Sequence, residues 1–122
     1  MEIKTVDVQA LQELLDRNEV VLIDVREVDE HSEASIPSAI NIPLGIVTIE
    51  LLPKNNSGKK LVLHCGGGGR SAKACEKLIM QDSDIEVYNL TGGIRSWKGA
   101  GYAVNGAGII SSNMCAIKVK SE

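Results

Sequence analysis

The sequence predicts a three-layer α/β domain, in which a mainly parallel sheet of about five strands lies between layers of helices. Continuous aliphatic runs at residues 20–23 and 61–63 are typical of strands buried on both faces, as in parallel sheets. Segments with helical spacing alternate with these runs, which is the order that builds βαβ units. Sites in such sheets lie beyond the carboxyl ends of the strands.

The first quarter of the chain predicts a strand, a helix and a buried strand. A short strand is expected over residues 3–6, and Asp7 is expected to cap the helix that follows. Apolar residues recur at helical spacing over residues 8–15, and the run 20–23 is the buried strand. The polar stretch 27–34 has room for one or two helical turns.

Prolines frame the next elements. Residues 36–44 predict a short strand pinned between prolines, and residues 46–52 predict a helix that a proline ends. Residues 54–58 predict a polar turn. The sequence Asn55-Asn56-Ser57 within that turn matches a glycosylation site, but we interpret it as part of the turn because no secretory signal precedes it.

The second half predicts a strand over residues 61–64, a helix over 72–79, a strand over 85–88 and a short helix over 94–99. We expect these elements to complete one domain, residues 1–104. Residues 105–122 would then form a C-terminal extension that docks on the domain or stays flexible, with a weak strand pattern near its end.

Composition excludes several classes of function. The 122 residues have 43% hydrophobic content and no Phe, which predicts one aliphatic core. A net charge of −3 without a dense basic block argues against nucleic acid or an anionic membrane as the main partner. The absence of a signal pattern or a long apolar run predicts a cytoplasmic protein. Three widely spaced cysteines and two histidines suggest reduced thiols, without a disulfide framework, a metal or another cofactor.

The candidate site is the segment that joins the strand at 61–64 to the next helix. Cys65 comes first, glycines fill residues 66–69, and Arg70 and Ser71 follow. Backbone N–H groups and the helix dipole at such a position favour an ionised thiol. Lowering a cysteine pKa by two units from about 8.5 requires about 2.7 kcal/mol, which loop amides, the helix terminus and Arg70 would supply together. Because glycines offer no side chains, recognition is expected to rely on amides and Arg70 alone.

Five other chemistry-bearing residues have structural interpretations. Cys75 shares a helix face with apolar residues, and Trp97 lies in a short helix, so both are predicted to pack in the core. His64 precedes Cys65 on a strand and therefore points to the opposite face, where we expect it to form a structural hydrogen bond. Asp24 and Arg26 follow a neighbouring strand and are predicted to hold the loops electrostatically.

Four segments in order resemble a single-domain rhodanese, a sulfurtransferase. They are residues 23–27, 36–44, 65–71 and 90–97, the last followed by Gly101-Tyr102, and the resemblance covers about residues 3–104. It implies a rhodanese-like fold in which Cys65 takes a sulfane sulfur as a persulfide from a donor such as thiosulfate. The acceptor would be thiophilic: cyanide, a thiol or a protein.

The resemblance also implies roles around Cys65. The residues that would bind the substrate are Gly66, Gly67, Gly68, Gly69, Arg70 and Ser71. Arg70 would orient the loop and attract an anionic donor, while Ser71 would cap the following helix. The chain departs from the family pattern Gly-His-Ile-Pro-Gly at residues 34–38, and its glycine loop leaves the substrate preference open.

Two other functions compete with sulfur transfer. The first is a cysteine phosphatase or arsenate reductase, whose loops resemble the motif C-x5-R, whereas four residues separate Cys65 from Arg70 in this chain. Such an enzyme also needs a general acid, and the candidates Asp82 and Asp84 fall at the far end of the predicted helix. A non-enzymatic module that binds a partner or carries sulfur is the second alternative. Cys115 would resolve a Cys65 persulfide only if the extension folds over the site.

Overall fold

A computed structural model of the chain describes residues 3–54 and 58–106. Its strands are β1 (Lys4–Val6), β2 (Val20–Asp24), β3 (Ile40–Asn41), β4 (Lys60–His64) and β5 (Val87–Leu90). They form one sheet in the order β1-β5-β4-β2-β3, and the pairings between these strands are all parallel. The predicted α/β class and the number of strands are confirmed.

Within the described residues, four α-helices flank the sheet: α1 (Val8–Asp16), α2 (Val28–Glu33), α3 (Gly69–Gln81) and α4 (Gly93–Gly99). The carboxylate of Asp7 accepts a hydrogen bond from the backbone N–H of Ala10 at 2.8 Å, so this residue caps α1 as predicted. Helices α1 and α3 are amphipathic and pack their apolar faces against the sheet. The polar stretch before residue 34 forms α2.

Two aliphatic cores lie on opposite faces of the sheet and confirm the three-layer arrangement. In β4, Leu61 and Leu63 face the core that contains Leu78 of α3, whereas Val62 faces the core that contains Leu11 and Trp97. As predicted, Trp97 is buried, and Cys75 is buried in the α3 core. Burial on both faces explains why β2 and β4 have nearly continuous apolar sequences.

The helix predicted over residues 46–52 is wrong, because only a 3₁₀ turn at Ile49–Leu51 forms there. The backbone N–H of Leu44 donates to the carbonyl oxygen of Val25 at 3.0 Å, which ties this segment to the end of β2. Val47 is fully buried and holds the segment against the core, while its neighbour Ile46 is 58% exposed.

The two predicted strands with weaker patterns are shortened or shifted. Residues 36–44 contribute only Ile40–Asn41 to the sheet, because Ser38 adopts a left-handed conformation with φ of 74° and makes a turn before β3. The strand predicted over residues 85–88 lies at Val87–Leu90. Ile85 is held in a turn by a hydrogen bond from its N–H to the carbonyl oxygen of Asp82 at 3.1 Å.

The chain after residue 104 begins in contact with the domain. Backbone hydrogen bonds of 2.8 Å join Ser35 and Asn105 in both directions. The boundary at residue 104 stays a prediction, and the strand pattern near residues 117–120, Cys115 and the middle of the 54–58 turn lie outside the described residues. Within the described part of the chain, no helix has the length and apolar character needed to cross a membrane.

Candidate active site

Cys65 lies at the carboxyl end of β4, the central strand of the sheet, where the prediction places it. The residue is 1% exposed, and residues 65–68 connect β4 directly to α3. Gly68 has a φ of 111°, a conformation that side chains strongly disfavour, and it forms the N-cap of α3. The loop therefore turns sharply over the sulfur of Cys65.

Hydrogen-bond donors surround that sulfur. The N–H of Gly68 donates to Sγ of Cys65 at 3.0 Å, and the hydroxyl oxygen of Ser71 lies 3.4 Å from Sγ. Burial alone would raise the pKa of the Cys65 thiol. The hydroxyl of Ser71 and the backbone N–H groups of Ser71, Gly68 and Gly67 outweigh burial and hold this pKa below its ordinary value.

The carbonyl side of the loop is held by α4. The N–H of Ile94 donates to the carbonyl oxygen of Cys65 at 2.9 Å, and the N–H of Arg95 donates to that of Gly66 at 3.1 Å. Because trans peptides place N–H and C=O on opposite sides, these bonds turn the N–H groups of Gly66 and Gly67 away from α4 and toward the concave side of the loop. The loop thus presents its donors on one side.

Ser71 does not cap α3, which corrects the expectation for this residue. The helix begins at Gly69, so Ser71 lies within its first turn and is fully buried. Its hydroxyl oxygen lies 2.5 Å from Oδ1 of Asn89, a residue of β5 that the sequence analysis did not select. The loop glycine Gly68, rather than a polar side chain, occupies the cap position.

Arg70 extends over the loop, as predicted, and also forms an ion pair that was not predicted. A Cβ added to Gly66 would lie 3.3 Å from Nη2 of Arg70. Glu30 of α2 accepts two hydrogen bonds from the guanidinium, at 2.8 and 3.1 Å. This contact holds the pKa of Glu30 at about 2 and raises the pKa of Arg70, so both groups are charged at neutral pH.

A second guanidinium reaches the loop from α4. A Cβ added to Gly67 would lie 3.2 Å from Nη1 of Arg95, and Gly67 is itself exposed. Within residues 3–54 and 58–106, no carboxylate forms an ion pair with Arg95. The expectation that Arg70 is the only basic side chain at the loop is therefore wrong. Arg70 is paired with Glu30, whereas Arg95 brings a second positive charge to the loop that Glu30 does not pair with.

The neighbouring loops are held by a buried cluster around Asp24, in agreement with the role predicted for Asp24 and Arg26. Asp24 is fully buried, and its carboxylate accepts a hydrogen bond of 2.7 Å from Arg26 and lies 2.8 Å from Nδ1 of His31. The guanidinium of Arg26 also donates to the carbonyl oxygen of Ala34 at 2.6 Å. These contacts join the end of β2 to the C-terminal end of α2.

His64 links this cluster to the loop. Its Nδ1 lies 3.1 Å from the carbonyl oxygen of Cys65, and its Nε2 lies 3.9 Å from the carboxylate of Asp24. Burial lowers the pKa of His64, and the nearby carboxylate only partly opposes that effect. His64 is thus a neutral group at physiological pH that contacts backbone rather than the sulfur of Cys65, as predicted.

Comparison with known proteins identifies the family. The Rhodanese-like domain family matches residues 7–100. The chain belongs to this family. It is 35% identical over 98 residues to a sulfurtransferase of Allochromatium vinosum, covering 78% of this chain and 88% of the relative. It is also 35% identical over 100 residues to the putative sulfurtransferase YtwF of Bacillus subtilis, covering 81% of this chain and 94% of the relative.

A solved structure supports the same assignment. The rhodanese-related protein of Thermoplasma volcanium is 31% identical and superimposes with a TM-score of 0.66, covering 84% of this chain and 97% of that one. In the rhodanese-like domain described here, the sequence predicts the position of the cysteine loop. It does not reveal Glu30, Asn89 or Gly93, because the contacts of these residues join elements far apart in the chain.

Proposed function

We propose that this rhodanese-like domain is a sulfurtransferase that carries a sulfane sulfur on Cys65. The donor would be a small anion such as thiosulfate, and the acceptor would be cyanide, a thiol or a protein thiol. The main support is the donor set around Sγ, in which the N–H of Gly68 lies 3.0 Å from the sulfur while α4 holds the loop carbonyls outward. Such a loop stabilises a negative sulfur in either the thiolate or the persulfide state.

The proposed reaction has two displacement steps. The Cys65 thiolate attacks the outer sulfur of thiosulfate, a new S–S bond forms, and sulfite leaves with the electrons of the broken S–S bond. The acceptor then attacks the outer sulfur of the persulfide, and Cys65 leaves as a thiolate. Neither step needs a general acid, because the leaving groups depart as stable anions. The Cys65 thiolate and the Cys65 persulfide are both anions, so one set of fixed N–H donors can stabilise both.

The geometry of α3 disfavours phosphate chemistry. A cysteine phosphatase requires a general acid close to the sulfur. Asp82 lies at the end of α3, which begins at Gly69 and spans 13 residues, so it is about 20 Å from the loop. The guanidinium of Arg70 already donates two hydrogen bonds to Glu30, so it has fewer donors and less unpaired charge available to bind a phosphate dianion.

Mass spectrometry of the purified protein tests this proposal. Incubation with thiosulfate, mercaptopyruvate or polysulfide is expected to add one sulfur atom at Cys65, and cyanide or a thiol is expected to remove it. The Cys65→Ala variant is expected to gain no sulfur, whereas Cys75→Ala retains loading, because burial raises the pKa of Cys75 to about 12. Loading by none of the three donors would contradict the proposal. Turnover of an aryl phosphate that depends on Cys65 would support the phosphatase instead.

The same purified protein can be used to distinguish a sulfur carrier from a sulfurtransferase that turns over small substrates. If Cys65 takes sulfur from a donor but passes it only to a protein thiol, the domain is a sulfur carrier rather than a thiosulfate:cyanide transferase. Comparing the rate of sulfur loss to cyanide with the rate of loss to a protein thiol separates these functions. Both outcomes require the Cys65 persulfide, which makes the mass measurement the first experiment.

Arg95→Gln is expected to weaken the use of an anionic donor. Removing the charge that lies over Gly67 should raise the KM for thiosulfate about fivefold at low salt, with a smaller effect at high salt, because exposed charges are screened. Steady-state kinetics at two ionic strengths measure this change. Lys98→Gln provides the control, since Lys98 is an exposed cation later in the same helix. An equal effect of both substitutions would show that Arg95 acts only through the overall charge.

A further inference from the structure

Asn89 connects β5 to the loop through both ends of its amide. Its Oδ1 lies 2.5 Å from the hydroxyl oxygen of Ser71, and its Nδ2 donates to the carbonyl oxygen of Gly68 at 3.2 Å. The side chain of Asn89 is half-buried, whereas Ser71 is fully buried. Asn89 does not contact the sulfur of Cys65 directly, but it bonds to two residues that do, Ser71 and Gly68.

The orientation of this amide follows from the carbonyl of Gly68. That oxygen can only accept hydrogen bonds, so the NH₂ group of Asn89 must face it, and the amide oxygen must face Ser71. The amide oxygen is also an acceptor, and therefore the Ser71 hydroxyl must donate to it. A serine hydroxyl has one proton, so Asn89, Sγ of Cys65 and the carbonyl oxygen of Gly68 compete for it.

The distances favour Asn89 over Cys65 as the acceptor. The Ser71 oxygen lies 2.5 Å from the amide oxygen of Asn89, 3.2 Å from the carbonyl oxygen of Gly68 and 3.4 Å from Sγ of Cys65. We propose that Asn89 is a positioning residue, which competes with the sulfur of Cys65 for the single hydroxyl proton of Ser71 and so limits how strongly the anionic sulfur is stabilised. This inference rests on the proposed function only where it names sulfur transfer as the reaction of the Cys65 thiolate.

The competition has a direct consequence for reactivity. A thiolate that receives fewer hydrogen bonds is less abundant at low pH but more nucleophilic once formed, because nucleophilicity rises with thiol pKa. The N–H of Gly68 keeps its bond to Sγ whichever acceptor the Ser71 proton faces. Asn89 would therefore raise the intrinsic reactivity of the Cys65 thiolate at some cost in its abundance.

The test measures the rate of alkylation of Cys65 by iodoacetamide as a function of pH. In Asn89→Ala, the Ser71 proton keeps two acceptors, the carbonyl oxygen of Gly68 and Sγ of Cys65. The thiolate is the stronger acceptor because it is charged, so the midpoint of alkylation should move down by about one pH unit. The rate at the high-pH plateau should fall about threefold. The ionisable groups near the loop that stay unchanged are Arg70 of α3, Glu30 of α2, Arg95 of α4, His64 of β4 and Asp24 of β2.

A second substitution separates proton competition from a general effect on packing. In a Ser71→Ala background, Asn89→Ala should leave the midpoint unchanged, because no hydroxyl proton remains to redirect. Asn89→Leu, which keeps the branched shape of the side chain without its hydrogen-bonding groups, should behave like Asn89→Ala and replaces it if the smaller side chain prevents folding. Tyr88→Phe is the matched control, since its side chain points to the other face of β5 and bonds to Glu86.

Two results would overturn the inference: a midpoint in Asn89→Ala that stays in place or moves up, or a downward shift of equal size in the Ser71→Ala background. Alkylation requires no sulfur donor. If the Asn89 variants alkylate as expected but the wild-type protein takes up no sulfur, the proposed function is contradicted and the role of Asn89 stays supported. The two failures are therefore distinguishable.

Discussion

Gly93→Ala is expected to destabilise the domain by about 3 kcal/mol or more and to return the pKa of Cys65 toward its ordinary value. Gly93 has a φ of 58°, and an added Cβ would collide with the carbonyl oxygen of Cys65 and lie 2.7 Å from that of Gly66. These are backbone atoms of the loop, so the clash is relieved only if α4 moves away. Thermal unfolding should show a loss of about 15 °C in Tm, and alkylation should show an ordinary cysteine pH profile.

The control for this substitution lies in the same helix. A Cβ added to Gly99 meets no atom within 4 Å, and Gly99 does not have a positive φ. Gly99→Ala should therefore leave Cys65 unchanged and keep or slightly raise the Tm, because alanine favours helix over glycine. A Gly93→Ala protein with wild-type Tm and wild-type alkylation would show that close contact with α4 does not shape the loop.

Asp24→Asn is expected to cost about 3–5 kcal/mol of unfolding free energy. The substitution removes the negative charge that faces the guanidinium of Arg26, which is only 6% exposed, and it leaves that cation buried without its counterion. Urea unfolding measures the change. Glu86→Gln, at the exposed ion pair with Lys4, should leave the unfolding midpoint nearly unchanged, because solvent screens that pair.

A double substitution tests the reason for the loss. Asp24→Asn combined with Arg26→Met removes both charges of the buried pair, so the combined loss should be smaller than the sum of the two single losses. Additive losses would show that the buried charge of Arg26 is not the cause. The pair thus allows the electrostatic explanation to be rejected without reference to activity.

The stability of the domain at low pH should depend on the same cluster around Asp24. Burial alone would raise the pKa of Asp24, but Arg26, His64 and His31 together lower it below the ordinary value. A lowered folded-state pKa contributes stability above the unfolded pKa of about 3.9, and this stability is lost as the pH falls through the folded value. Burial lowers the pKa of His64, so its protonation adds a loss of stability that begins as the pH falls below about 6.5. Asp24→Asn should therefore unfold less steeply below pH 4 than wild type.

The parts of the fold that could be predicted are those whose own residues determine their conformation. The aliphatic runs give β2 and β4 within a residue, and Asp7 marks the start of α1. The segment after β3 could not be predicted, because it is held by a hydrogen bond to Val25 and by the burial of Val47, both of which depend on the tertiary structure.

The candidate site divides in the same way. The position of Cys65 and its donors follows from a strand, glycines and a helix that are adjacent in sequence. The ion pair of Arg70 with Glu30 and the hydrogen bond of Ser71 with Asn89 join residues that are 40 and 18 positions apart. Hydrophobic periodicity carries no information about such pairs, which arise only when α2, α3 and β5 are assembled.

The contact between α4 and the loop also sets an order of events during synthesis. In a growing chain, Cys65 is synthesised before Gly93, Ile94 and Arg95. The N–H groups of Ile94 and Arg95 are the ones that donate to the loop carbonyls. Until β5 is paired and α4 has docked, those carbonyls lack these partners and the glycine-rich loop has many accessible conformations. We therefore expect the thiol of the nascent chain to lack the lowered pKa of the folded site until α4 has docked.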